Sequence, residues 1–169
     1  MINVLKNAIA KNKIARLKSS SSQEFLLPVR SVVIVLDSQN LSNLPALMKL
    51  KRELKLEDSK FKTVLFEDKN ESFPEFEGLS FTKKDFNVFG NFKSTELIKF
   101  ADIHIDLLIT FAKENTLYVD LFIASCKAGL RVGRHVDNEE ILDLIIRSGD
   151  EVDVFVSELM KYLKQFKSY

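Results

Sequence analysis

Glycine is scarce in this chain. There are five in 169 residues, where ordinary usage near 7% would supply about twelve. Phosphate-cradling loops need glycine wherever backbone must approach a ligand closely. Neither G-x-G-x-x-G nor G-x-x-x-x-G-K-[ST] occurs, so dinucleotide and P-loop binding have no sequence support. Cysteine is limited to Cys126, which excludes an intramolecular disulfide. With two histidines and no H-E-x-x-H, a dedicated transition-metal site is not expected. No G-x-S-x-G elbow is present. His104 flanks a strand and His135 follows one, and neither has a catalytic setting. No catalytic residue, metal or cofactor is expected. Long apolar runs are also missing. The first useful one, Val32 to Leu36, is too short for a secretory signal or a membrane span. The expected compartment is the reducing cytoplasm. Tryptophan is absent, whereas phenylalanine numbers 14 and should dominate the core.

Acid is missing from residues 1–22, which carry Lys6, Lys11, Lys13, Arg16 and Lys18. This stretch is therefore +5 in a chain of net +1, and the remainder is −4. Residues 2–18 contain good helix formers and no breaker. On a helical wheel Ile2, Leu5 and Ile9 cluster, Ile14 and Leu17 point elsewhere, and Arg16 falls within the first group. A helix docked on its own core should show a cleaner stripe. Ser19 to Ser22 then reads as a flexible linker. The expected organisation is a basic, partly helical arm with a serine linker over 1–22, followed by one domain over 23–169.

Within that domain one phrase recurs. Ile105-Asp106-Leu107-Leu108-Ile109 and Leu142-Asp143-Leu144-Ile145-Ile146 are near-copies, each followed by a helical pattern. Val32 to Leu36 is a continuous apolar run, as in a parallel strand buried on both faces. Further strands are expected at Lys62–Phe66, Leu79–Phe81 and Leu130–Gly133. Helices are expected from Pro45 to about Leu56, from Ser94 to about Ala101, and from Thr116 to Lys127. Gly129 should stop the last of these in a left-handed cap. Glu139 to Arg147 is ambiguous, because its acidic pair favours a helix start and the repeat favours a strand; strand is chosen. Val152, Phe155, Val156, Leu159, Leu163 and Phe166 mark the final helix, with Asp150 as its cap. Short apolar runs alternating with helices give an α/β, Rossmann-like, open and mainly parallel sheet of about six strands, with helices on both faces.

Ligands on such sheets bind beyond the carboxyl ends of the strands. That rim should include Asp37 to Asn40, Glu67-Asp68, Phe111 to Asn115 and Arg134-His135. Arg131, Arg134 and His135 form its most functional cluster and could hold an anion; pairing of the arginines with loop acids is the competing reading. Cys126 reads as a small core residue.

Two resemblances follow from these residues. Leu27-Pro28-Val29-Arg30, Lys84 to Gly90, Asp106-Leu107-Leu108-Ile109 and Arg131-Val132-Gly133 resemble an uncharacterised bacterial family of proteins of about this length. More distantly, Leu44-Pro45-Ala46-Leu47, the Asp106 strand and Arg131-Val132-Gly133 resemble the amino-terminal half of heptosyltransferase-like glycosyltransferases. The place of that family's proposed base is taken by Ser38 and Gln39, and Gln39 cannot accept a proton as a base must. The donor-binding half has no counterpart.

The expected function is accordingly non-catalytic binding of a macromolecular partner. Its sharpest form is RNA or a ribonucleoprotein such as the ribosome, contacted through Lys6, Lys11, Lys13, Arg16 and Lys18. A protein complex is a broader version. A degenerate sugar-nucleotide binder using Arg131, Arg134 and His135 is the alternative, and a membrane-surface protein is a third reading.

Overall fold

The computed structural model describes residues 1–20, 24–68, 73–112, 117–135 and 140–166. Its centre is a six-stranded sheet: β1 (Val32–Asp37), β2 (Phe61–Phe66), β3 (Leu79–Phe81), β4 (Ile105–Thr110), β5 (Ala128–Gly133) and β6 (Leu144–Ile145). The strand order is 3-2-1-4-5-6, and every pairing is parallel. The chain thus moves outward from β1 in one direction and restarts at β4 in the other. The switch point lies between β1 and β4, which pair from Val32 with Leu107 to Val35 with Thr110.

Both faces of the sheet are covered, which explains the unbroken apolar run of β1. Val33, Val35 and Leu108 face one core; Val32, Ile34, Leu36, Leu107 and Ile109 face the other. The first core is closed by α4 (Thr95–Asp102) and α5 (Leu117–Ser125). Ser94 caps α4 by accepting the Leu97 N–H on its hydroxyl. The second core is closed by α2 (Leu44–Leu47), α3 (Lys49–Glu53) and α6 (Val152–Phe166). On α6 the spacing of Phe155, Val156, Leu159 and Leu163 places one buried stripe against the sheet.

Helix α5 differs from the others. Val119, Leu121, Phe122, Ile123 and Ala124 are all buried, so it has no solvated face. A helix that is apolar all round needs cover on every side. The sheet covers one side, and α1 (Ile2–Ser20) covers the other through Ala10, Ile14 and the half-buried Leu17. The expectation that the basic segment lacks a docking face is therefore corrected. Its stripe is Ala10, Lys13, Ile14 and Leu17, at helical spacing. Ile2 and Leu5, which had suggested another face, are exposed. Helix α1 also runs through Ser19 and Ser20; Ser21 and Ser22, the rest of the expected linker, lie outside the described residues.

Other boundaries shift for local reasons. The helix expected from Pro45 to Leu56 is two short pieces, α2 and α3, and Lys55 then adopts a left-handed φ of 54°. Gly129 does not cap α5. It lies within β5, where a Cβ would sit 3.1 Å from the Asp106 carbonyl oxygen and 3.2 Å from that of Glu24. The strand expected within 139–147 shortens to Leu144–Ile145.

Candidate functional site

The carboxyl edge of the sheet at the switch point is filled by side chains rather than left open. Asp37 ends β1, and its carboxylate accepts the Asn40 backbone N–H at 3.0 Å and the Asn40 side-chain amide at 2.7 Å. This fixes the 3₁₀ turn Ser38–Asn43. The Asn40 side-chain oxygen, Oδ1, then accepts from Arg134 Nη2 at 2.9 Å. Arg134 Nη1 donates to the Gly149 carbonyl and to Asp150 Oδ1, both at 2.8 Å. The guanidinium lies 4.0 Å from the centroid of the Phe111 ring. Asp37, Asn40 and Arg134 are all buried. The acid expected to cap α6, Asp150, here carries one end of the arginine.

Arg131 and Arg134 are not brought together. Successive strand residues alternate faces, and Arg131 points to the α5 side. Its Nη2 donates to the Cys126 carbonyl at 2.7 Å, and its Nε to that of Ile123 at 3.4 Å. The guanidinium thus satisfies carbonyls at the negative end of a helix. Burial lowers its pKa, an effect partly opposed by Asp143. Asp143 in turn accepts the Arg131 backbone N–H at 2.8 Å. His135 lies next to Arg134 in sequence, at the limit of the described residues. The cluster is therefore split between two sides of the sheet. Glu67 and Asp68 belong to the same carboxyl edge, whereas residues 113–115, also expected there, lie outside the described residues.

The amino-terminal cations fare differently. Lys6, Lys11, Arg16 and Lys18 are exposed. Lys13 turns inward: its ammonium donates to the Gly90 carbonyl at 2.9 Å and to the Asn91 side-chain oxygen. Partial burial lowers its pKa. Its acceptor is a tight turn over 87–91. The Asn87 side chain accepts the N–H groups of Phe89 at 2.9 Å and Asn91 at 3.0 Å, and Gly90 takes a left-handed φ of 73°. A Cβ there would press on Leu121 at 3.2 Å and on Lys13 at 3.3 Å. Glycine is needed both for its φ and for its size.

Between α1 and this turn runs a groove of about 680 Å³, lined by Lys6, Lys83, Lys84 and Lys93 with Asn3, Asn7 and Asn87. Its floor includes Phe86, Tyr118 and Leu121. The nearest acid in sequence, Asp85, is already engaged: it accepts the Thr82 N–H at 2.7 Å and the Thr82 hydroxyl at 3.1 Å. No acid is among the described lining residues. At the tip of the turn Val88 and Phe89 are exposed, Phe89 by 64%. Lys83 and Lys93 carry no motif, Lys84 only opens the Lys84 to Gly90 stretch, and it is the docking of α1 that makes them neighbours of Lys6.

The chain belongs to a family of unknown function (DUF6913), whose model matches residues 3–166. No curated protein and no solved structure matches it, so the glycosyltransferase resemblance finds no support in these comparisons.

Proposed function

We propose that this protein is a non-catalytic binding protein that contacts RNA or a ribonucleoprotein, such as a ribosome, through α1 and the groove beside it. The observation that carries the reading is the groove, without an acid among its described lining residues, in which Lys6 of α1 meets Lys83, Lys84 and Lys93. Four ammonium groups along one channel, with Lys11 exposed on the same helix, suit a chain of phosphates. Phe89 at the rim offers a ring on which an unpaired base could stack. Single-stranded segments fit this reading better than a duplex, because a stacking platform needs an unstacked base. The cytoplasm is the proposed compartment. Among the described residues no helix is long and apolar enough to cross a membrane.

The sugar-nucleotide alternative has less behind it. Arg131 and Arg134 are both hydrogen-bonded to protein acceptors, and the crevice beyond β1 and β4 holds the Asp37–Asn40–Arg134 network. The membrane reading lacks a sharp apolar face on α1, whose inward stripe is already docked on α5.

The test uses the full chain with Lys6→Glu, Lys83→Glu and Lys84→Glu combined, since these side chains are exposed. Binding to a labelled single-stranded RNA is titrated at several salt concentrations. The expected result is an affinity that falls steeply with salt in the native protein and is lost in the triple variant. Equal binding by both proteins at low salt would overturn the reading.

A further inference from the structure

The opposite edge of the sheet carries a second, unrelated feature. A cavity of about 540 Å³ opens at the amino ends of β1, β2 and β4, within the size range of small-molecule sites. Three segments build it. The strand lead-in contributes Leu26, Leu27 and Arg30; the turn into β2 contributes Lys60 and Lys62; the link from α4 to β4 contributes Phe100 and Ile103. The wall has two characters. Leu26 is 58% exposed and Ile103 47% exposed, and Phe100 is half-buried between them and the core. Exposed apolar side chains lining a concavity suit an apolar ligand.

The rest of the wall is cationic. Arg30, Lys60 and Lys62 are exposed, and no carboxylate among the described residues forms an ion pair with them. The Lys62 ammonium sits 5.7 Å from the centroid of Phe100, which places it at the junction of the apolar and charged parts. The single acid among the described lining residues, Asp106, is satisfied internally. It accepts the Arg30 N–H at 2.7 Å and the Ser31 N–H at 3.1 Å, and lies 3.0 Å from His104 Nε2. Asp106 therefore holds the lead-in against β4 instead of repelling an anion. Its own N–H donates to the Ser31 hydroxyl at 2.9 Å, which locks the same corner from the other side.

We infer that this amino-edge cavity is a binding site for an amphipathic carboxylate, with its apolar body against Leu26, Phe100 and Ile103 and its carboxylate at Arg30, Lys60 and Lys62. The shared chemistry is a carboxylate on an apolar group, and it has two sources: a free medium-chain acid, or an apolar residue at the C-terminus of a peptide. The site is independent of the basic groove, which lies on the α1–α5 side, and its test leaves that groove untouched.

The experiment follows amide shifts of the labelled full chain during titration with octanoate, octan-1-ol and octyltrimethylammonium. A short peptide with a free C-terminal leucine and its amidated twin form the second arm. The expected result is saturable shifts confined to residues 26–33, 59–62 and 100–106 with octanoate, the free-carboxyl peptide or both; whichever binds identifies the source. The alcohol and the amidated peptide should bind more weakly, and the ammonium not at all. Lys62→Glu should weaken the carboxylate by about fivefold, while Ile103→Ser should weaken acid and alcohol alike. Equal binding of octanoate and octanol, shifts elsewhere, or no shifts with either carboxylate would overturn the inference.

Discussion

Arg134 lies over the Phe111 ring, 4.0 Å from guanidinium carbon to ring centroid, and so joins the end of β5 to the end of β4. Its salt bridge to Asp150 is the smaller part of its role. The arginine side chain is 2% exposed but that of Asp150 is 98% exposed, and a carboxylate in water contributes little. The contacts to Phe111, Asn40 and the Gly149 carbonyl matter more. Arg134→Ala should cost about 1–3 kcal/mol in urea unfolding, because it removes the shorter of the two hydrogen bonds that the buried Asn40 side-chain oxygen accepts, the other coming from Asn43 at 3.3 Å, and strips the Gly149 carbonyl of its donor. Arg134→Lys should recover little, since a point charge replaces neither the contact with the Phe111 ring nor the forked hydrogen bonds. Asp150→Asn should change stability by no more than about 0.5 kcal/mol.

The docking of α1 predicts that the amino-terminal segment contributes to stability. Ile14→Ala should cost about 2 kcal/mol, the low end for a buried aliphatic truncation at a helix–helix contact. Deleting residues 1–20 should cost more and expose Leu121 and its neighbours on α5. Loss of RNA binding on deletion would therefore be uninformative, which is why charge reversal on an intact helix is the sounder probe.

Phe89 separates binding from folding. It is exposed at a turn tip, so Phe89→Ala should leave the urea midpoint unchanged. The same change should weaken single-stranded RNA by about 1–3 kcal/mol if a base stacks there. A fluorescence titration of the two proteins against one oligonucleotide reads this directly.

Asp120 gives a pH dependence. Burial pushes its pKa from the ordinary 3.8 up to about 7. Between these values the folded chain holds a proton that the unfolded chain has released. Stability from this group is thus full below about pH 4 and is lost as pH rises through about 7. Unfolding free energies should fall between about pH 4 and pH 7 in the native protein, and fall less in Asp120→Asn, which keeps the shape without the charge. A parallel decline in both proteins would assign the effect elsewhere.

Cys126 should be inert while the protein is folded. It is buried, and its thiol is pushed up to about 12, so almost no thiolate is present at neutral pH. A thiol reagent should label it only after denaturant is added.

Much of the sheet was legible because burial on both faces writes itself as unbroken β-branched runs. The run Val32 to Leu36 lies wholly within β1, the phrase Ile105 to Ile109 wholly within β4, and Leu79–Phe81 occupies its expected range. The docking of α1 was harder to read, because its stripe contains one alanine, one lysine and two aliphatics instead of a row of large residues. The signal for it sat elsewhere, in the all-round apolarity of Leu117–Ser125, a helix that the sheet alone could not cover. Arg131 and Arg134 looked like one cluster because they are near in sequence. Strand alternation sends them to opposite faces, and each meets a different set of acceptors. The cationic groove was invisible for a third reason: Lys6 and Lys83 are brought together only by tertiary packing.

The sheet ends in β3 and β6, of three and two residues. A long outer strand would present a row of unpaired amides and carbonyls on which a neighbouring chain could crystallise into fibrils or swap an arm. Margins this short offer no such template. Sideways growth of the sheet by strand addition is therefore disfavoured at both of its margins.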